Sequence, residues 1–293
     1  MAEGAEGRPG RAVRLNNGEW MPLLGLGTFR LRGYEEVHRC VDAALGAGYR
    51  AFDTAAVYRN EEELGRALRE LLPKHGLDRS QVFITSKLGP RDQGLGAGEA
   101  LGRSLAALDC GYLDLFLVHW PGTQGWEAAD LRNPENRRQT WVALEAEHRK
   151  GQVRAIGVSN YTSAHLRQLL QECTVPPAVL QVELHPRLPQ TELLQLCRES
   201  GIHLQAYSSL GTGELLGHPL VQEVARSCQR SPAHVLLRWA LEQEVGVIPK
   251  SSQPTRITEN AQIFDFLLSP EAMEWLGQLA DGTHYCWDPN TVT

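Results

Sequence analysis

The sequence predicts one eight-stranded β/α barrel, and three observations carry that prediction. Eight short runs rich in Val, Ile, Leu, Phe and Ala recur at residues 23–27, 50–53, 82–87, 113–119, 155–159, 179–183, 203–207 and 246–249. Most are nearly continuous in apolar residues, the pattern of strands covered on both faces of a parallel sheet. The segments between them carry apolar residues at helical spacing, and strands alternating with helices predict βαβ units. No linker or composition break divides the series, so residues 12–293 read as one domain. A length of 293 residues is slightly above the usual size of one barrel. An open doubly wound sheet is the alternative. It calls for G-x-G-x-x-G after the first strand, and Gly25-Leu26-Gly27-Thr28 supplies only half of that.

The elements follow in order. Residues 1–11 are Gly, Glu and Arg without an apolar core, which predicts a disordered lead-in and excludes a secretory signal. Residues 12–15 and 19–22 flank Asn16-Asn17-Gly18, a turn signal that predicts a hairpin ahead of the barrel. Val37, Val41, Ala44 and Leu45 make the first helical stripe. Leu64, Ala67, Leu68 and Leu71 make the second, opened by Asn60 as N-cap and closed by Pro73. Leu166, Leu169 and Leu170, then Leu193, Leu194, Leu196 and Cys197, make later stripes. Gly48, Gly76, Gly151 and Gly201 fall just past helix ends, where a left-handed residue is expected. Two additional helices are expected at residues 219–228 and 269–279. The tail, residues 281–293, lacks periodicity and reads as a loop.

Composition narrows the function classes. At 42% hydrophobic and 22% charged the chain is ordinary for a globular protein. A net charge of −6 gives no basic footprint for nucleic acid and no polybasic membrane patch. No apolar stretch approaches a bilayer span. Cys40, Cys110, Cys173, Cys197, Cys228 and Cys286 are scattered singly, with no Cys-x-x-Cys, and read as free thiols in a reducing compartment. The cytoplasm is the expected location.

Barrel active sites form at the C-terminal strand ends, so the polar residues that end the apolar runs are the candidates. They are Asp53, Lys87, His119, Ser159 with Asn160, Gln181 with Glu183, Tyr207 and Lys250; Tyr58 lies in the loop after the second run. Each alone has an ordinary explanation: a helix cap for Asp53, a lysine reaching for water for Lys87, a satisfied core histidine for His119, loop packing for Tyr58. Together, Asp, Lys and His ending three consecutive strands converge on one mouth that Tyr58 can reach. A phenol that donates a proton needs its pKa, about 10, brought toward neutral. A nearby ammonium does so by favouring phenolate, and a carboxylate holds the ammonium in place. No clustered His and carboxylate ligands sit on the strand ends, so no metal site is expected, and a metal-dependent hydrolase or isomerase is disfavoured.

Longer motifs carry a resemblance. Residues 46–55 through Tyr58 and Glu62-Glu63-Leu64-Gly65, residues 113–115 through His119-Trp120-Pro121, Gly157-Val158-Ser159-Asn160, and Ile248-Pro249-Lys250-Ser251 with Arg256-Ile257 and Glu259-Asn260 occur in order. In these the chain resembles the aldo-keto reductase family from end to end, in its small-aldehyde and prostaglandin F synthase-like branch. The resemblance implies an NADPH-dependent reduction of aldehydes and ketones, with Tyr58 as proton donor, Lys87 and Asp53 tuning it, and His119 orienting the carbonyl. It implies that Ser159, Asn160 and Gln181 bind the carboxamide and that Tyr207 stacks under the nicotinamide. Ser208, Leu210 and Gly211 would cradle the pyrophosphate. Lys250, Ser251 and Arg256 would grip the 2′-phosphate, and Asn260 the adenine. Apolar pocket walls are expected from Trp20, Trp120 and Trp287, and family barrels are often monomers.

The chain departs from many relatives at two places. Ser208-Ser209-Leu210-Gly211 lacks a proline after its first serine, and Leu88-Gly89-Pro90 replaces a tryptophan after the lysine. The second departure implies a pocket that is wider on that side. A non-catalytic nucleotide-binding barrel, as in channel-associated or lens proteins, is the alternative. The complete set of Tyr58, Asp53, Lys87 and His119 argues against it. Aldehydes, dicarbonyls, quinones and prostaglandin-type endoperoxides are all compatible as substrates.

Overall fold

Side chains alternate between the two faces of a strand, and this alternation decides what the barrel holds at each end. The structure is a computed structural model and describes residues 11–293; the lead-in, apart from Arg11, lies outside the described residues. β1 (Ala12–Arg14) and β2 (Trp20–Pro22) form an antiparallel hairpin with Val13 opposite Met21. Eight parallel strands follow: β3 (Gly25–Gly27), β4 (Ala51–Asp53), β5 (Phe83–Leu88), β6 (Leu113–Val118), β7 (Val153–Ser159), β8 (Val179–Glu183), β9 (His203–Tyr207) and β10 (Gly246–Val247). They pair in chain order from β3 to β10. The ring closes where Leu24 bridges Val247, the amide of Val247 donating to the Leu23 carbonyl at 2.7 Å and that of Gly27 to the Pro249 carbonyl at 3.2 Å.

Helices connect the strands on the outside: α1 (Tyr34–Gly46), α2 (Glu61–Lys74), α3 (Ala97–Leu108), α4 (Asn133–Arg149), α5 (Ser163–Glu172), α6 (Thr191–Glu199), α8 (Pro232–Leu241) and α9 (Pro254–Asn260). The two additional helices are α7 (Pro219–Ser227), ahead of α8, and α10 (Pro270–Gly277) near the end of the chain. Gly48, Gly76, Gly151 and Gly201 all take positive φ just past helix ends. Asn60 precedes α2 but does not cap it with its side chain. Its amide instead donates to the carbonyls of Thr28 at 2.9 Å and Leu31 at 3.2 Å, and its oxygen accepts from Thr54. A buried amide surrounded by loop carbonyls satisfies more groups there than it would at the helix end. Pro73 does not stop α2 either; it lies in the last turn, which runs on to Lys74.

In β4 to β9 the residues that line the barrel interior are odd-numbered, whereas in β10 the order reverses and Val247 packs with the outer cluster. Ala51, Phe83, Leu115, Leu117, Ala155 and Val179 cluster with Leu15 and Met21 of the hairpin. The hairpin therefore plugs the N-terminal end of the barrel, and Asn16 and Asn17 tie it down by donating to the carbonyls of Pro177 and Arg154 at 2.9 Å each. Even-numbered residues such as Phe52, Ile84, Phe116, Ile156, Leu180 and Leu204 pack against the helices. The same parity carries Asp53, Lys87, Ser159, Gln181, Glu183, Gln205 and Tyr207 to the opposite, polar end.

Helix contacts are close where glycine allows. A Cβ at Gly65 of α2 would stand 2.0 Å from the backbone oxygen of Leu108 at the end of α3. Backbone cannot yield as a side-chain tip can, so Gly65→Ala is expected to destabilise by at least the ~1–3 kcal/mol of core overpacking. A chemical denaturation midpoint equal to that of wild type would refute this close approach.

Candidate active site

The polar end of the barrel gathers the residues that the strand ends predict. Asp53 closes β4 and is 3% exposed; Lys87, one residue before the end of β5, is fully buried. The Lys87 ammonium donates to Asp53 Oδ1 at 2.5 Å and to the Thr54 carbonyl at 2.9 Å. It reaches Tyr58 Oη at 3.3 Å. Tyr58 ends a short 3-10 turn, Ala56–Tyr58, and Arg59 after it takes a left-handed φ of 58°, which turns the chain into α2. His119 follows β6 and lies edge-on to the Tyr58 ring, with centroids 5.6 Å apart at 77°.

Asp53 is held from two sides. Gln181 donates to its Oδ2 at 2.8 Å and to Gln205 Oε1 at 2.8 Å. Gln205 was not among the residues expected here, although its odd position in β9 is the signal that finds it. Asn160 links two further candidates. Its amide donates to the His119 carbonyl at 2.9 Å and to Ser159 Oγ at 3.2 Å, and its oxygen accepts from Tyr207 Oη at 2.6 Å. Asn160 itself has φ of 63°, a strained value for a residue other than glycine.

The electrostatics differ from the expectation at one residue. Burial pushes the Tyr58 phenol well above its ordinary value, and the Asp53 carboxylate pushes it the same way. The Lys87 ammonium opposes them, but its own charge is disfavoured by full burial and sustained by Asp53. In this arrangement the phenol holds its proton rather than approaching phenolate. His119 is lowered to about 3 by burial first and by Lys87 second, so the imidazole is neutral at neutral pH.

The other candidates fall into two groups. Tyr207 is half-buried at the end of β9, and the loop after it bends sharply, with Ser208 at φ 52°, Gly211 at 57°, Thr212 at 53° and Gly213 at 104°. Ser209 Oγ in this loop is buried and has no hydrogen-bond partner among the described residues. Lys250 and Arg256 are exposed, and among the described residues neither is in an ion pair. Glu259, three residues after Arg256, does not pair with it; the Glu259 carbonyl accepts from or faces His234 Nε2 at 2.7 Å. Ser251 uses its hydroxyl to accept from the Gln253 amide at 3.0 Å, and Asn260 is buried at the end of α9. Leu210 borders the bent loop and packs partly against the core.

Trp20 is displaced from the mouth. It lies in β2, on the hairpin that plugs the opposite end, because the strand that leads to the mouth begins only at Gly25. Phe29, two residues beyond β3 and not among the expected residues, occupies the place expected of Trp20: its ring stands 5.1 Å from that of Tyr58. The Thr28-Phe29 pair at the end of the first apolar run is the sequence signal for it. Trp120 and Trp287 do meet, edge to face at 6.2 Å and 82°. Trp287 belongs to the tail, which crosses the mouth: Cys286 Sγ lies 3.3 Å from Ser208 Oγ, and a Cβ at Gly211 would stand 2.7 Å from the Tyr285 ring. Residues 289–291 of the tail form one 3-10 turn within the expected loop.

The profile of the Aldo/keto reductase family matches residues 23–281. The chain is 43% identical to a glyoxal reductase of Bacillus subtilis (strain 168), over 91% of this chain and 92% of that protein. It is 42% identical to the aldo-keto reductase family 1 member A1 of Sus scrofa, over 91% and 88% of the two chains. A crystal structure of an aldo-keto reductase from a Medee basin deep-sea metagenome library superposes with a TM-score of 0.88 at 36% identity, covering 96% of this chain and 99% of that one. A closed β/α barrel, a polar mouth with a lysine, a carboxylate, a phenol and an imidazole in contact, and a family profile spanning 23–281 agree: this chain belongs to the aldo/keto reductase family, the oxidoreductases of carbonyl compounds.

Proposed function

We propose that the protein reduces small aldehydes and ketones to alcohols with NADPH, and that Tyr58 gives the proton to the carbonyl oxygen. The observation that carries this reading is the phenol of Tyr58, 3.3 Å from the buried Lys87 ammonium that Asp53 holds. NADPH, when bound, supplies the hydride. The chain's own groups do the rest. Tyr58 donates its proton to the oxygen as negative charge develops there. Lys87 stabilises the phenolate left behind. The neutral imidazole of His119 orients the carbonyl beside Tyr58, and Phe29 and Trp120 stand beside that pair.

The residues present suit the cofactor. Ser159, Asn160 and Gln181 would hold the carboxamide. Both Gln181 amide hydrogens are committed to Asp53 and Gln205, which leaves its carbonyl oxygen as the acceptor. Tyr207 would stack on the nicotinamide ring. The bent loop of Ser208, Leu210 and Gly211, with its unpartnered Ser209 hydroxyl, suits the pyrophosphate. Lys250 and Arg256, both exposed, suit the 2′-phosphate, with Ser251 behind them and Asn260 toward the adenine. Six free thiols fit a reducing compartment such as the cytoplasm. Among the described residues no helix is long and apolar enough to cross a membrane. We take the working form to be a monomer.

Two measurements test this. Mixing the protein with NADPH and either glyoxal, suggested by the relative named glyoxal reductase, or an aromatic aldehyde should consume the nicotinamide absorbance. Binding of NADPH without turnover of any carbonyl would instead identify a nucleotide-binding barrel. Fluorescence titration should show that Arg256→Ala weakens NADPH by about 1.5–3 kcal/mol, the scale of a charged hydrogen bond, and leaves NADH almost unchanged. An equal loss for both cofactors would mean that Arg256 supports its loop rather than reading the phosphate.

A further inference from the structure

Glu183 ends β8 on the inward face and is 2% exposed. A buried carboxylate needs compensation, and among the described residues neither lysine nor arginine supplies it. Its Oε1 accepts from the Tyr285 amide at 2.7 Å, and its Oε2 from the Cys286 amide at 3.2 Å. His185 Nε2 lies 3.1 Å from Oε1, and His284 Nδ1 lies 3.3 Å from Oε2. Burial works to raise this carboxyl, but His185 and the two amides together hold it below its ordinary value, so it stays charged. Both amides and the His284 ring, whose Nδ1 makes no hydrogen bond among the described residues, belong to the tail, about a hundred residues downstream.

The tail is fastened at both ends. Arg187 forms an ion pair with Asp281, and its carbonyl accepts from the Asp281 and Gly282 amides. At the far end the Val292 carbonyl meets His165 Nε2 at 2.9 Å, and the Thr293 amide donates to Ala128 at 3.0 Å. Between these ends the two Glu183 oxygens hold consecutive backbone amides, while Tyr285 Oη accepts from Arg187 Nη1 at 3.2 Å and Cys286 Sγ meets Ser208 Oγ at 3.3 Å. The residue after its two bound amides is Trp287, whose ring faces Trp120, the neighbour of His119. Trp287 is 83% exposed, so its own packing does little to keep it there.

We propose that Glu183 is a positioning residue that sets the substrate-pocket wall: it clamps the Tyr285 and Cys286 amides, and the clamp holds Trp287 against Trp120. The proposal rests on the reading of the mouth as a carbonyl-reducing site. Glutamine in place of Glu183 keeps the shape but turns one acceptor oxygen into an amide that faces a donor, so one arm of the clamp opens. The effect should fall on substrates large enough to touch the wall.

The test uses the full chain as wild type, Glu183→Gln, Trp287→Ala and the double variant. With a biphenyl aldehyde, Glu183→Gln should raise KM about tenfold, the factor that one charge-assisted hydrogen bond supports. With glyoxal, kcat and KM should change less than about twofold. In the Trp287→Ala background, Glu183→Gln should add less than about twofold, because residues acting through one contact are not additive. Alkylation of Cys286, followed by peptide mass spectrometry, should run several-fold faster in Glu183→Gln because the clamp no longer closes the tail. Equal losses for both aldehydes, or full additivity in the double variant, would overturn the positioning role. Unchanged Cys286 alkylation would overturn the clamp itself. Should Glu183→Gln not fold, Trp287→Ala still decides: an unaltered KM for the biphenyl aldehyde removes Trp287 as the wall and the proposal with it. A wild-type protein that reduces neither aldehyde overturns the carbonyl-reducing reading, and the alkylation result then still reports on the clamp alone.

Discussion

Tyr58→Phe is expected to lower the rate of the chemical step by about two to four powers of ten, the usual contribution of a positioned acid. Phenylalanine keeps the ring that packs against Phe29 at 5.1 Å and His119 at 5.6 Å, so the pocket should stay intact. Only the hydroxyl that meets Lys87 at 3.3 Å is lost. NADPH affinity should hardly move. Single-turnover absorbance measurements separate the chemical step from product release, and a near-wild-type rate would remove Tyr58 as the donor. The pH profile gives a second reading. Burial and Asp53 raise the Tyr58 phenol, so it is protonated through the neutral range, and the rate should fall only on the alkaline side as the proton is lost. His119, lowered to about 3, is already neutral above that pH. No histidine limb is therefore expected between about pH 5 and 8, where an unperturbed imidazole would titrate. A limb near 6.5 that His119→Gln abolishes would show that the imidazole is charged in the working enzyme.

Lys87→Met is expected to damage both activity and stability. The cation favours the phenolate that proton donation leaves behind, so without it the alkaline limb should move to higher pH and the chemical step should slow by orders of magnitude. The structural consequence is separable. Asp53 loses the ammonium at 2.5 Å and keeps only Gln181 at 2.8 Å on its other oxygen. Removing one partner of a buried ion pair typically costs about 3–5 kcal/mol, because the remaining charge is stranded. Adding Asp53→Asn should recover much of that loss without restoring turnover, since a neutral amide needs no counter-ion. Urea denaturation of the three proteins checks this. A single variant as stable as wild type, or a double variant no better than the single, would show that the ammonium does not offset the buried charge of Asp53.

Much of the barrel is legible in the chain because its information is local and periodic. An apolar run that ends in a polar residue reports both a strand and its mouth-facing end. For that reason Asp53, Lys87, His119, Ser159, Gln181 and Tyr207 fall together in space although 154 residue numbers separate the first and last. The α7 and α10 additions are equally local, each marked by proline at its first turn. Asn60 shows where local rules stop. Its type and position suit an N-cap, but two loop carbonyls from residues about thirty positions upstream take its amide.

Trp20 and Phe29 make the same point about distance. Both are aromatic residues near the first strand, and only closure of the barrel decides that one joins the hairpin plug and the other the mouth. The protonation of Tyr58 is likewise decided by how deeply the assembled mouth is buried.

What the sequence by itself determined was the series of eight apolar runs, and hence the fold, the end at which chemistry gathers and the residues that gather there, because a run and the polar residue that ends it need only neighbouring residues to be read. What only the tertiary structure decided was the seat of the tail, the partners of Glu183, the displacement of Trp20 and the direction in which Tyr58 titrates. Each of these depends on contacts between segments far apart in the chain, and on the solvent those contacts exclude.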